Sequence, residues 1–314
     1  MEQRKMRLGG DKTKNVDRRE NRRSRLLTII LLLLFFTGLG LVLYPFVSNA
    51  WNQRHQTRMI ADYQQAVADM DQTKYEEMRE AAQQYNAKIA ARPFSLTLSE
   101  EEKKEYNSLL DVTGTGIMGY VEIPKISCML PVYHGTDEGA LRIAIGHLEG
   151  TSLPVGGEST HSVLSGHRGM PNAKLFSQLD KLVVGDTFRL HVLDQVLTYE
   201  VDQIQIVLPD DISSLAVTNG EDFCTLVTCT PYGVNTHRLL VRGHRVTTET
   251  DETAHIPADA MQIPQVTVAL ALGIVFFLLF ILIAGLVRRR LPMNPEDIYK
   301  FPEEKQDKDP FGIK

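Results

Sequence analysis

Two long charge-free apolar runs constrain this chain more than any other feature. Residues 26–47 read LLTIILLLLFFTGLGLVLYPFV, and residues 266–287 read VTVALALGIVFFLLFILIAGLV. Each holds about 22 residues, enough at about 1.5 Å per residue to cross the roughly 30 Å hydrocarbon core of a bilayer. Both are expected to be transmembrane helices. Arg18, Arg19, Arg22, Arg23 and Arg25 lead into the first, and Arg288, Arg289 and Arg290 follow the second, whose upstream flank ETDETAHIPADAMQIPQ is acidic. Basic flanks stay in the cytoplasm. Both termini are therefore expected there, with residues 48–265 as an extracytoplasmic body at the cell membrane. Ser48 and Ala50 form a small-x-small pair such as follows a signal peptide, but the first run exceeds the about 7–15 apolar residues of a cleaved signal, so its retention is expected.

Composition narrows the class further. The chain carries 34 Lys and Arg against 39 Asp and Glu, a net charge of −5, which gives no support to a nucleic-acid partner. With 43% hydrophobic and 23% charged residues it is neither a disordered chain nor a polytopic membrane protein. Cys128, Cys224 and Cys229 cannot all pair, and none stands in a Cys-x-x-Cys spacing, so at least one thiol is free and no structural metal is indicated.

Between Trp51 and Ala91, apolar residues such as Met59, Ala66, Met70, Met78 and Tyr85 recur at helical spacing and predict one or two amphipathic helices. Arg92-Pro93-Phe94-Ser95 breaks that pattern. A short helix near residues 99–110 follows, with Ser99 and Glu102 in capping-box spacing. From residue 115 onward the sequence turns to short β-rich runs: GYVEIPKI, SCMLPVYHG, HSVLSGHRG, DTFRLHVL, QVLTYEVDQIQIVLP, FCTLVTCT and HRLLVRGHRV. They predict a closed antiparallel barrel or a sandwich over residues 115–247. A linker over 248–265 and polar cytoplasmic tails over 1–25 and 288–314 complete the expected organisation.

A cysteine becomes a nucleophile only where its thiolate is stabilised. In Phe223–Cys229, strand alternation puts Cys224, Leu226 and Thr228 on one face and Thr225, Val227 and Cys229 on the other. Cys229 ends the strand, just before the turn residues Thr230-Pro231-Tyr232-Gly233, whereas Cys224 and Cys128 lie within apolar runs and read as packed side chains. His167, in Ser-Gly-His-Arg-Gly, is one candidate base among several, with His134, His147, His161 and His237 as competitors. Arg238 and Arg242 share a strand face, and a hairpin from Cys229 through Pro-Tyr-Gly-Val-Asn-Thr can set Arg238 beside the thiol.

Taken together, MGYVEIPKI, LPVYHGT, GHLEGTSLPVGGESTHSVLSGHRG, LFSQLDKL, YEVDQIQIVLPDD and TLVTCTPYGVNTHRLLVRGHR resemble the sortases, most closely the class C, pilin-polymerising sortases of Gram-positive bacteria. The resemblance implies a closed eight-stranded β-barrel with short helices, here preceded by a helical region and flanked by two transmembrane helices. It also implies a catalytic histidine at His167, a nucleophile at Cys229 and an arginine at Arg238. No cofactor is implied.

Class C members carry a lid loop whose Asp-Pro-aromatic motif lies over the active site. The matching residues here are Arg92, Pro93 and Phe94, with Arg in place of Asp. The substitution removes the carboxylate that would pair with Arg238, so closure is expected to rest on Pro93 and Phe94. The implied activity is transpeptidation of an LPxTG-type sorting signal, with pilin or other surface proteins as partners at the membrane. A wall-anchoring sortase using a peptidoglycan amine, or an inactive membrane-bound binding module, are the alternative readings.

Overall fold

The computed structural model describes residues 3–170 and 173–247, with 273–274, 277–278 and 280–281 beyond them. Most of the second apolar run, the linker 248–265 and the tail 288–314 lie outside the described residues. The six described positions in that run are helical.

The first apolar run belongs to helix α1, Gln3–Ala68, which passes through Pro45 without ending. Its segment Thr28–Ala68 is long and apolar enough to cross a membrane, and the chain is membrane-anchored through it. Past the apolar run, α1 lies along the body of the protein. Gln56 donates from Nε2 to the Ile143 carbonyl at 2.6 Å, and Ile60, Tyr63 and Val67 pack with Ile117 and Tyr120. Tyr63 donates to Met118 O at 3.1 Å and accepts from Leu193 N at 2.8 Å, tying the helix to two separate parts of the body.

Helix α2 covers Gln72–Ala91, started by Asp71, whose side chain accepts from Lys74 N at 2.9 Å. It buries Ala82, Tyr85, Asn86 and Ile89, the i, i+3, i+4, i+7 stripe of an amphipathic helix. It stops at Arg92, whose extended backbone suits the residue before a proline. Helix α3, Glu100–Ser108, begins with the capping box that the sequence predicts: Glu102 N donates to Ser99 Oγ at 3.3 Å, and Ser99 N donates to Glu102 Oε2 at 2.7 Å.

Eight strands then form one closed barrel in the order β1-β2-β3-β4-β7-β8-β6-β5. They are β1 Ile117–Ile123, β2 Cys128–His134, β3 Ile145–His147, β4 Thr160–Ser165, β5 Thr187–Val192, β6 Gln195–Val207, β7 Asp222–Thr230 and β8 His237–Val246. Two pairings correct the expectation of an antiparallel barrel, because β2 with β3 and β4 with β7 run parallel. A parallel pair needs a crossover rather than a hairpin. The chain supplies one for β4 and β7 by inserting β5 and β6 between them. Inside the barrel, Val121, Leu164, Phe188, Leu190, Tyr199, Leu226 and Val241 form the main core, onto whose outer edge Tyr85 and Tyr106 of α2 and α3 pack. Gly243 is required there, since a Cβ would come within 2.9 Å of both the Phe188 ring and Tyr199 Cβ.

Candidate active site

The site is built on three neighbouring strands, β4, β7 and β8. In β7, Cys224 and Leu226 point into the main core, while Val227 packs on the outer face with Val163, Leu215 and Leu240. Cys229 shares the parity of Val227, so it faces outward, one step beyond that outer cluster. On β8, Leu239 and Val241 point inward and Leu240 outward. Arg238 thus shares the outer face, and it is paired directly with Cys229 across the antiparallel ladder.

On the other flank, β4 pairs with β7 in a constant register, Ser165 opposite Val227. That alignment persists past the end of the strand. Gly166 N donates to Val227 O at 3.0 Å, and Arg168 Nη1 donates to Thr230 Oγ1 at 3.1 Å. His167 lies between those two contacts, two residues past the end of β4, on the side of β7 opposite β8. Cys229, with its half-exposed thiol, and Arg238 thus form a row on the outer face of β7 and β8, with His167 in the segment that runs on from β4 beside β7.

Local packing fixes the row. Gly166 has no room for a side chain, because a Cβ would meet Ile145 Cγ2 and Phe176 Cδ2 at 2.8 Å. Its carbonyl accepts from Thr228 Oγ1 at 2.7 Å, a second bond between β4 and β7 directly under the row. The turn after His167 falls instead on Gly169, with φ +80. Arg168, which the sequence does not distinguish from a surface arginine, is almost wholly buried and ion-paired with Asp180. Arg238 donates from Nη1 to the carbonyls of Asn235 at 3.4 Å and His237 at 3.2 Å, which orients the guanidinium at the head of its strand. Glu138 lies within electrostatic reach of His167, its carboxyl held below the usual range chiefly by hydrogen bonding to Arg142.

The other cysteines sit in different surroundings. Cys224 is fully buried and its thiol pKa is pushed well above the ordinary value by burial. Burial likewise pushes the Cys128 thiol up to about 12, and its Sγ lies 3.8 Å from Leu175 O. Among the competing histidines, His147 bonds to Tyr106 Oη and Ser152 O, and His161 to Thr225 Oγ1 and Ala216 O. His134 lies between the carbonyls of Gly116 and Leu109. Arg242 is not a solvated charge: it makes two bonds to Asp202, at 3.0 and 2.7 Å, and its guanidinium lies 4.1 Å over the Phe223 ring.

The loop between α2 and α3 comes onto the same outer face. Phe94 packs against the cluster of Val163, Leu215, Val227 and Leu240, immediately below the row. Gly150 permits the approach, since a Cβ there would meet Ser95 O at 2.6 Å. Beside Phe94, Pro93 is exposed. Arg92 does not leave the loop without polar support: Nη1 donates to Glu102 Oε1 at 2.7 Å and Nη2 to Ser95 O at 3.2 Å.

Among the described residues, no group of three or more His, Cys, Asp and Glu side chains is placed to hold a metal. A cleft of about 620 Å³ lined by Asn86, Ala87, Ala90, Gly157, Thr160 and Asn219 lies at the far ends of β4 and β7, away from the row.

Comparison with known proteins fits this geometry. Residues 121–246 match the sortase domain model. The chain is 34% identical over 152 residues to sortase D of Bacillus subtilis (strain 168), an alignment covering 48% of this chain and 73% of that one. Among solved structures, sortase C1 of Streptococcus agalactiae is 54% identical with a TM-score of 0.59, covering 60% of this chain and 98% of its own. Sortase C of Streptococcus pneumoniae, whose structure was described as informative on catalysis and pilin substrate specificity, is 48% identical with a TM-score of 0.54, covering 60% of this chain and 96% of its own.

Proposed function

Since the chain belongs to the sortases, and within them to class C, we propose that it joins pilin subunits by cysteine transpeptidation, with His167, Cys229 and Arg238 as its catalytic residues. The observation that supports this reading is the outward-facing, half-exposed thiol with an arginine paired to it across one neighbouring strand and a histidine two residues beyond the end of the strand paired on its other side.

In the proposed reaction, the Cys229 thiolate attacks the Thr carbonyl of an LPxTG-type signal. The C–N bond to Gly breaks, His167 gives the leaving amine its proton, and a thioester remains. Arg238, a guanidinium on the other side of the sulfur, donates hydrogen bonds to the oxyanion formed during attack. A lysine amine of a second pilin then attacks the thioester, forming an amide and returning the thiol. This chemistry calls for no metal or organic cofactor. Arg92, Pro93 and Phe94 form the lid in this reading, with Phe94 as its apolar seat and Arg92 as its tether.

The basic residues before the first span and after the second support placing both termini in the cytoplasm, with a second span over residues 266–287. Catalysis then takes place outside the membrane, where donor and acceptor are held at the same surface and effective concentration rises without new contacts. Full-length protein in vesicles, incubated with a recombinant pilin carrying LPxTG, should yield a covalent ladder. The Cys229→Ala protein should yield none. A product formed only with a peptidoglycan-linked amine would overturn the pilin reading in favour of wall anchoring.

A further inference from the structure

Helix α1 has no break between the bilayer and the barrel. Its contacts with the body include Asn49, Gln56, Met59, Tyr63, Gln64 and Val67. At about 100° per residue these positions share one face of the helix, and that face begins two residues after the apolar run ends at Val47. Around that boundary, Tyr44, Phe46 and Trp51 point outward with 60%, 42% and 74% exposure. Trp51 is the chain's single tryptophan. Exposed aromatics at the end of an apolar span mark the level of the lipid headgroups.

The barrel reaches down to that level. Asn49 Oδ1 accepts from Lys174 N at 3.1 Å, and two residues further on Phe176 N donates to the carbonyl of His167 at 3.2 Å. An extended chain covers at most about 3.6 Å per residue, so these links hold the His167 backbone within about 14 Å of a side chain at the headgroup level. Lys174 itself is exposed and cationic, suited to lipid phosphate.

We infer that the barrel is docked on the outer surface of the bilayer that α1 spans, with Lys174 lying among the headgroups and the His167 end of the row held close to that surface. The occupant of this docking surface is the bilayer itself, because the exposed aromatics continue directly from the span. The inference concerns placement and stands apart from the choice of substrate.

The test uses the full chain in phospholipid vesicles containing a lipid spin-labelled on its headgroup. Trp51 fluorescence should be quenched in the parent. In a Trp51→Phe background, Lys174→Trp should be quenched comparably, and Glu158→Trp, at the far ends of β4 and β7, should not. Equal quenching of Lys174→Trp and Glu158→Trp would overturn the inference. A second variant guards against misfolding: two extra helical turns inserted after Val47 raise the barrel by about 10 Å. That protein should lose turnover of a membrane-embedded donor while keeping cleavage of a soluble LPxTG peptide; equal retention of both would also overturn the inference. Failure of the parent to cleave either donor would count against the transpeptidase reading, and the quenching pattern would still decide the placement.

Discussion

Arg92 and Glu102 join the loop that follows α2 to the start of α3. One oxygen of Glu102 accepts from Arg92 and the other from Ser99 N, so a single carboxylate serves both as tether and as helix cap. Opening the loop by breaking Arg92 from Glu102 therefore disturbs the first turn of a helix. Glu102→Gln weakens both bonds, and Arg92→Asp replaces attraction with repulsion. Both should speed alkylation of Cys229 by a neutral thiol reagent several-fold. Slower labelling of Arg92→Asp would show that position 92 instead engages Arg238.

Phe94 should account for the apolar part of closure. Full burial of a phenylalanine is worth roughly 1.5–3 kcal/mol, and this ring is partly exposed, so Phe94→Ala should raise the alkylation rate by up to about tenfold. Pro93→Ala, at an exposed position, should change it little. Equal rates for Phe94→Ala and the parent would remove the ring from any role as a cover.

Thiol labelling at pH 7.5 should stop at one adduct per chain, on Cys229. Cys224 is enclosed, and Cys128 has its pKa pushed up to about 12, so neither supplies thiolate. Cys224→Ala should retain turnover and lose about 1 kcal/mol of stability through the cavity it leaves. Mass spectrometry of the labelled protein and a denaturant titration check the two statements.

The two arginines of β8 should separate by phenotype. Arg238→Lys should lower kcat/KM by about a hundredfold or more, because an ammonium cannot reproduce the guanidinium fork at an oxyanion. Arg242→Lys should leave kcat/KM close to the parent value and lower the Tm, since it loses the paired bonds to Asp202 and the contact with Phe223. Equal losses of kcat/KM would remove the distinction.

Stability should fall between pH 6.5 and 4 through His147. Its ring is fully buried, which lowers its pKa from 6.5 to about 4, with the bond to Ser152 O opposing the shift. The unfolded chain takes up a proton in this interval and the folded one does not, so the contribution is complete above pH 6.5 and declines as pH falls toward 4. The decline amounts to roughly 3 kcal/mol. His147→Gln should be less stable at pH 7 yet show a flatter dependence over that interval, as followed by thermal melts across the range.

Much of the site is legible in the sequence because strand alternation is local. The parity of Phe223–Cys229 and His237–Arg242 is enough to separate Cys229 from Cys224 and to set Arg238 opposite the thiol. The capping box at Ser99 is equally local. Partner choice over distance is not. Nothing in the runs themselves tells β4 to lie parallel to β7, and β3, only Ile145–His147, is too short to show a period. His167 stands among several equivalent histidines until that pairing exists, and the family resemblance singles it out where spacing does not. Arg92 reads as a lost carboxylate because its partner lies ten positions along, across a helix start.

Closure of the barrel has its own bearing on recognition. β5 is bonded to β1, so the sheet has no terminal strand, and strand backbone is left without a neighbouring strand only in part, where β6 runs past β5 after Glu200 and where β2 and β4 extend beyond the short β3. At the row itself β4, β7 and β8 are paired to one another, so a donor segment lying across their outer surfaces would be read through side-chain shape and a few polar contacts. Main-chain pairing, which accepts almost any sequence, is already taken up between these strands there. Discrimination between one sorting signal and another is thus placed on the residues around the row rather than on the backbone of the sheet.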